Sequence, residues 1–141
     1  MKVALITGGH RRVGRAISLA LAARGYDVHL TWGRSEADAQ GTLRDLRALG
    51  VQASAHQVEL SDASAVSALA DRVWDAAGGV NLLVNNASVF PNTALGDVTL
   101  ADWDRCMAIN LRAPFLLSRI LGTRMRLAGG GSRSQRCRCA A

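Results

Sequence analysis

Short apolar runs alternate along this chain with stretches whose apolar residues recur at helical spacing. Val3–Ile6 is a run of four apolar residues, which predicts a buried strand. Val13, Ile17, Ala20 and Leu21 then line one face of a predicted helix that ends at Gly25. Asp27–Trp32 predicts a second strand. Ser35 with Asp38 three residues later has the form of a capping box, for a helix running to Leu49 and stopped by Gly50. Val51–Val58 predicts a third strand. Ser61 or Asp62 starts a third helix, with Val66, Leu69 and Val73 inward and Gly78-Gly79 after it. Asn81–Asn85 predicts a fourth strand, followed by a loop through Pro91. Thr99 and Asp102 form a second capping box before a long helix to about Met125.

Strict alternation of strand and helix means parallel strands, right-handed crossovers and helices on both faces. The predicted fold is therefore α/β, a doubly wound parallel sheet. The pattern then stops. Residues 129–141, GGGSRSQRCRCAA, have no apolar period, and the stretch is expected to be disordered.

Composition narrows the class. A chain of 141 residues with 49% apolar content suits one domain with a real core. No apolar run reaches the roughly 20 residues of a membrane-spanning helix. The N-terminus lacks the pattern of a secretory leader. The three cysteines, Cys106, Cys137 and Cys139, form no disulfide framework. The expected location is the cytoplasm. The net charge of +6 is mostly a property of residues 126–141, which hold four arginines and no acid. A tail of that kind attracts polyanions without specificity, so neither specific nucleic-acid binding nor membrane association is expected. Cys137 and Cys139 alone cannot close a zinc tetrahedron, and no metal is expected.

The candidate chemistry lies in TGGHRRVG, residues 7–14, between the first strand and the first helix. A helix start offers unpaired N–H groups and a partial positive charge, which bind phosphate. Gly8, Gly9 and Gly14 sit at that place; Gly8 permits a tight turn, and Gly14 lets the helix approach the strand. Folds that bind NAD place an acid about 20 residues on, to hold the ribose 2′-hydroxyl. Here that region reads Thr31-Trp32-Gly33-Arg34-Ser35, with no acid. Arg34 and Ser35, with Arg12 and Arg11 from the first loop, suit a 2′-phosphate instead. The expected cofactor is NADP(H). His10 is expected to shape the loop, and His29 and His56 to be structural.

These motifs resemble the short-chain dehydrogenase/reductase family. TGGHRRVG is similar to its Thr-Gly-x-x-x-Gly-x-Gly loop, with Arg12 in the middle-glycine position. NNAS, residues 85–88, is similar to Asn-Asn-Ala-Gly, with Ser88 for glycine. Asn110, in AINLRAPFLLSR, matches the asparagine of the catalytic tetrad. The loop arginine and NNAS together resemble the pteridine reductase and dihydromonapterin reductase branch. The resemblance covers residues 1 to about 125 and implies a Rossmann-type half-domain there, with residues 126–141 as a basic tail.

The resemblance also implies roles. Thr7 supports the loop, and Gly8, Gly9, Val13 and Gly14 belong to the pyrophosphate site. Glu59 stands where an aspartate is usual near adenine, with Leu60 beside it. Asn85, Asn86 and Ala87 flank the adenine ribose and the sheet. Ser88 lies toward the nicotinamide, and Asn110 holds a water in a proton relay. The implied reaction is hydride transfer from NADPH to a carbonyl or pterin-like substrate.

The family's Tyr-x-x-x-Lys pair is missing. The one tyrosine is Tyr26 and the one lysine is Lys2. The chain therefore reads as a sheet truncated after about four strands and inactive on its own; the resemblance implies the strand order 3-2-1-4, with Leu82–Val84 as an exposed edge. A tail of this composition, with sixteen arginines against one lysine overall, fits an out-of-frame end. The alternative is a non-catalytic NADP-binding or dimerising fragment, self-associating through the helix Leu111–Leu121.

Overall fold

The computed structural model describes residues 2–129 and the backbone of 139–140. β1 (Lys2–Ile6), β2 (Tyr26–Trp32), β3 (Ala53–Gln57) and β4 (Leu82–Val84) form one parallel sheet in the order β3-β2-β1-β4. Helices α1 (Arg12–Ala22), α2 (Glu36–Ala48) and α3 (Ala63–Ala77) connect them. After β4 comes a loop with a 3₁₀ turn at Leu95–Asp97. Then follow α4 (Leu100–Met107), a π-turn (Ala108–Arg112) and α5 (Ala113–Ala128).

The sheet is covered on both faces, as its apolar strands require. On one side Leu5 and Leu83 pack with Val66, Leu69 and Val73 of α3 and Leu117 and Leu121 of α5. On the other, Ala4, Ile6, Val28 and Leu30 pack with Ala22 of α1 and Leu43 and Leu46 of α2. β1 is buried on both faces, which is why it reads as a continuous apolar run.

Four expectations need correction. The buried stripe of α1 is Gly14, Ser18 and Ala22, whereas Val13 is 67% exposed, Ala20 is exposed and Ile17 and Leu21 are only half-buried. Small residues let α1 sit close to the loop and strands, and a valine stripe would hold it away. Ser35 caps nothing: its hydroxyl donates to the Asp38 carboxylate at 2.7 Å, and α2 starts without a side-chain cap. The box at Thr99 and Asp102 does form. The long helix is not one α-helix, because the π-turn interrupts it at Asn110.

The fourth correction concerns the end of the chain. α5 continues to Ala128, with Met125 buried, and the backbone of Cys139–Ala140 forms a short β5 beside Leu83 and Val84. The sheet order becomes β3-β2-β1-β4-β5. Unpaired N–H and C=O groups on an edge strand attract any extended segment in reach. The expectation of disorder at 130–138 and at 141, and that of a metal-free Cys137 site, lie outside the described residues. No helix among the described residues is long and apolar enough to cross a membrane.

Candidate cofactor site

The loop between β1 and α1 is built by close backbone approach. Gly8 takes φ +63°, and its N–H donates to Thr31 Oγ1 at 3.0 Å. A Cβ on Gly14 would lie 2.1 Å from the Gly8 carbonyl oxygen, so only glycine fits there. A Cβ on Gly9 would crowd Leu30 and Ser18 at 2.8 and 2.9 Å. Arg12, in the family's middle-glycine position, has φ +48°. The backbone there is left-handed, a conformation a glycine adopts without strain and an arginine does not.

The loop after β4 is tied to the first loop. Thr7 Oγ1 accepts from the N–H groups of Asn86 and Ala87, each at 3.0 Å. Asn86 Nδ2 donates to the Thr7 and Gly8 carbonyls at 3.0 and 3.2 Å. Thr7 and Asn86 thus fix the two loops relative to each other at the C-terminal ends of β1 and β4. That is where ligands bind in open α/β sheets.

An open cavity of about 750 Å³ lies over these strand ends. Of the residues singled out in the sequence, Gly8, Arg11, Arg12, Val13, Gly14, Arg34, Glu59, Leu60, Asn86, Ala87 and Ser88 line it. Thr7 and Gly9 lie behind the wall: Thr7 holds the loops, and Gly9 packs against Leu30. Ser35 is turned to Asp38. Asn110 stands just outside, and clamps the backbone of Val89. It accepts from the Val89 N–H at 2.9 Å and donates to the Val89 carbonyl at 2.8 Å. Val89 and Ile109, its neighbours on the two elements, do line the cavity.

Both signs of charge line the cavity: Arg11, Arg12, Arg34 and Arg105 with Glu59. Glu59 accepts from Ser61 N and Oγ at 3.1 and 2.8 Å and faces Arg105 at 3.6 Å. The Ser61 hydrogen bonds, helped by Arg105, hold the Glu59 carboxyl below its ordinary pKa. Sequence reasoning missed Arg105 as a wall residue. It precedes Ile109 by four residues, so the two share a helix face. It missed His10 too, which is 8% exposed yet touches the cavity. Burial pushes the His10 imidazole below its usual pKa, a backbone hydrogen bond with Thr31 opposes this, and Arg11 adds to it. Its Nδ1 is buried without a partner.

The tyrosine and lysine do meet, but at the other end of the sheet. Lys2 and Tyr26 are in register at the starts of β1 and β2, with Lys2 Nζ 5.7 Å from the ring centre. They cannot reach a ligand in the cavity. His29 and His56 stack across β2 and β3, with His29 Nδ1 3.0 Å from His56 Nε2.

A parallel sheet wrapped by helices, with a glycine loop and a cluster of arginines over its strand ends, defines an α/β protein of the dinucleotide-binding class. The chain belongs to the short-chain dehydrogenase family, whose model matches residues 2–133. It is 36% identical over 134 residues to a D-threitol dehydrogenase of Mycolicibacterium smegmatis, covering 93% of this chain and 50% of that protein. A Burkholderia cenocepacia short chain dehydrogenase, solved in complex with NADP, is 42% identical with a TM-score of 0.83, over 86% of this chain and 50% of that one. A blue fluorescent protein from a metagenomic library, in complex with NADPH, is 38% identical with a TM-score of 0.83, over 88% and 51%. The chain spans about half the length of the curated relatives it matches.

Proposed function

We propose that this chain is the NADP(H)-binding half of a short-chain dehydrogenase/reductase acting by hydride transfer on a carbonyl or pterin-like substrate. The observation that carries the cofactor reading is the arginine cluster. Arg11, Arg12 and Arg34 all line the cavity, the first two from the glycine loop and Arg34 from the segment just after β2. Each charge-assisted contact to a 2′-phosphate contributes about 1.5–3 kcal/mol, or tenfold or more in affinity. The cofactor-bound relatives support the same reading for their own chains. Arg12 in the loop and Ser88 in NNAS favour the pteridine reductase-like branch. The cytoplasm is the expected location.

The one tyrosine and the one lysine stand away from the cavity lining, so the general acid pair of the family is not formed there. Binding without turnover is the expected behaviour of these 141 residues. The test is titration with NADP⁺ and NAD⁺, followed by fluorescence of Trp32 at the cavity wall. NADP⁺ binds at least tenfold tighter in the wild-type chain, and Arg34→Asp reverses the preference. Equal affinities in the wild-type chain would overturn the cofactor assignment.

A second reading, a dimerising module, is favoured by the outer face of α4, the π-turn and the start of α5. Trp103, Leu111 and Phe115 are 56%, 64% and 60% exposed. Exposed apolar patches of this kind mark association surfaces. Sedimentation should find the chain self-associated at micromolar concentration, and Leu111→Glu with Phe115→Glu should return it to a monomer.

A further inference from the structure

His10 is a titratable group enclosed in a phosphate loop, and the proposed function gives it no task. It is 8% exposed and forms part of the cavity wall. Thr42 of α2 fixes it by donating to its backbone carbonyl at 2.7 Å. The groups around it are Arg11 on its own loop, Asp38 and the neutral Thr42 from α2, and Thr31 from β2. Arg12 and Arg34 line the same cavity. Its acidic neighbour among the described residues, Asp38, is shared with the Ser35 hydroxyl.

We propose that His10 makes binding of a 2′-phosphorylated dinucleotide proton-linked: the imidazole takes up a proton from solvent when the phosphate docks. The inference rests on the NADP(H) reading of the cavity. A phosphate carries close to two negative charges at neutral pH. Docked on the arginines of this cavity, it sets a strong field of opposite sign beside a buried imidazole. Such an interaction between opposite charges near a protein surface is stronger than in water and falls with distance. Direct contact with Nδ1 is not needed, because the coupling is through the field. Burial, which disfavours the charged ring in the free chain, strengthens the coupling in the complex. A ligand with only a 2′-hydroxyl supplies no such field. By linkage, preference for NADP⁺ over NAD⁺ rises as pH falls from 8 to 6.5, by about three- to tenfold. Below that range the phosphate itself begins to protonate, near pH 6, and opposes the trend.

Calorimetric titration of the full chain at pH 7, in two buffers of different ionisation enthalpy, reads the proton directly. NADP⁺ should bind with net uptake of a fraction of a proton, NAD⁺ with none, and His10→Gln should bind NADP⁺ without uptake. Proton NMR of the imidazole C–H signals gives a second readout that needs no folded variant at His10. The His10 midpoint should rise with NADP⁺ and stay fixed with NAD⁺. Tight NADP⁺ binding with no buffer dependence and an unmoved His10 midpoint would overturn the inference while leaving the cofactor reading intact. Failure of NADP⁺ to bind at all would overturn both.

Discussion

Arg12 shows how a single residue serves two demands that conflict. Its backbone at φ +48° is what the loop requires and what glycine supplies without strain. Its side chain is a cation at the cavity wall. Strain of this kind costs of order 1 kcal/mol or more and collects at functional sites. Arg12→Gly is therefore expected to raise thermal stability, or leave it unchanged, while weakening NADP⁺ binding several-fold. Arg12→Ala should lose the binding without the gain in stability. Thermal melts with and without NADP⁺ separate the two effects. A variant Arg12→Gly that melts clearly lower than the wild-type chain would remove the strain argument. Gly14 behaves oppositely, because a methyl group there meets the Gly8 carbonyl and has nowhere to go.

Among the elements, the π-turn decides most. It sits where Asn110 needs its side chain aimed at the loop after β4, and π-turns recur at functional sites for that reason. Asn110 satisfies both polar groups of Val89 from the adjoining element. Two hydrogen bonds on an exposed segment are worth about 1–2 kcal/mol together. Asn110→Ala should release the loop from 85 to 94 without unfolding the sheet. Hydrogen exchange is expected to rise at Val89 and its neighbours while β1 and β2 stay protected. Unchanged exchange at Val89 would show that Thr7 and Asn86 alone hold the loop.

At the scale of the whole molecule, the sheet carries an acid-sensitive joint between β2 and β3. Burial, then His29 and Arg72 nearby, depress the His56 pKa to about 4; burial likewise lowers His29, opposed by Asp27. Between pH 6.5 and about 4 the unfolded chain therefore binds more protons than the folded one, and stability falls as pH drops through this window. The loss should level off below about pH 4 for this pair, where the carboxylates held low by hydrogen bonds, Glu59, Asp62 and Asp102, take over. His56→Gln should flatten the upper part of the urea-midpoint profile, between pH 6.5 and 4. A profile as steep as that of the wild-type chain would place the acid sensitivity elsewhere.

Much of this fold was legible because its signals are local. The apolar run Val3–Ile6, the α3 stripe Val66, Leu69 and Val73, and the Thr99 box each depend on neighbours a few residues away, and each forms as its spacing predicts. The glycines and arginines of the candidate site were legible for the same reason, since a strand, a turn and a helix start are contiguous in the chain. Tertiary structure alone decided the rest. It turned Val13 outward because Gly14 and Ser18 pack closer. It turned Ser35 to Asp38, brought Arg105 to Glu59 from 46 positions away, and set Asn110 on the Val89 backbone. It joined Lys2 to Tyr26 at the far end of the sheet and buried His10 in the cavity wall. Each is a contact between segments distant in sequence, where burial and close approach outweigh local preference, and no local pattern encodes it.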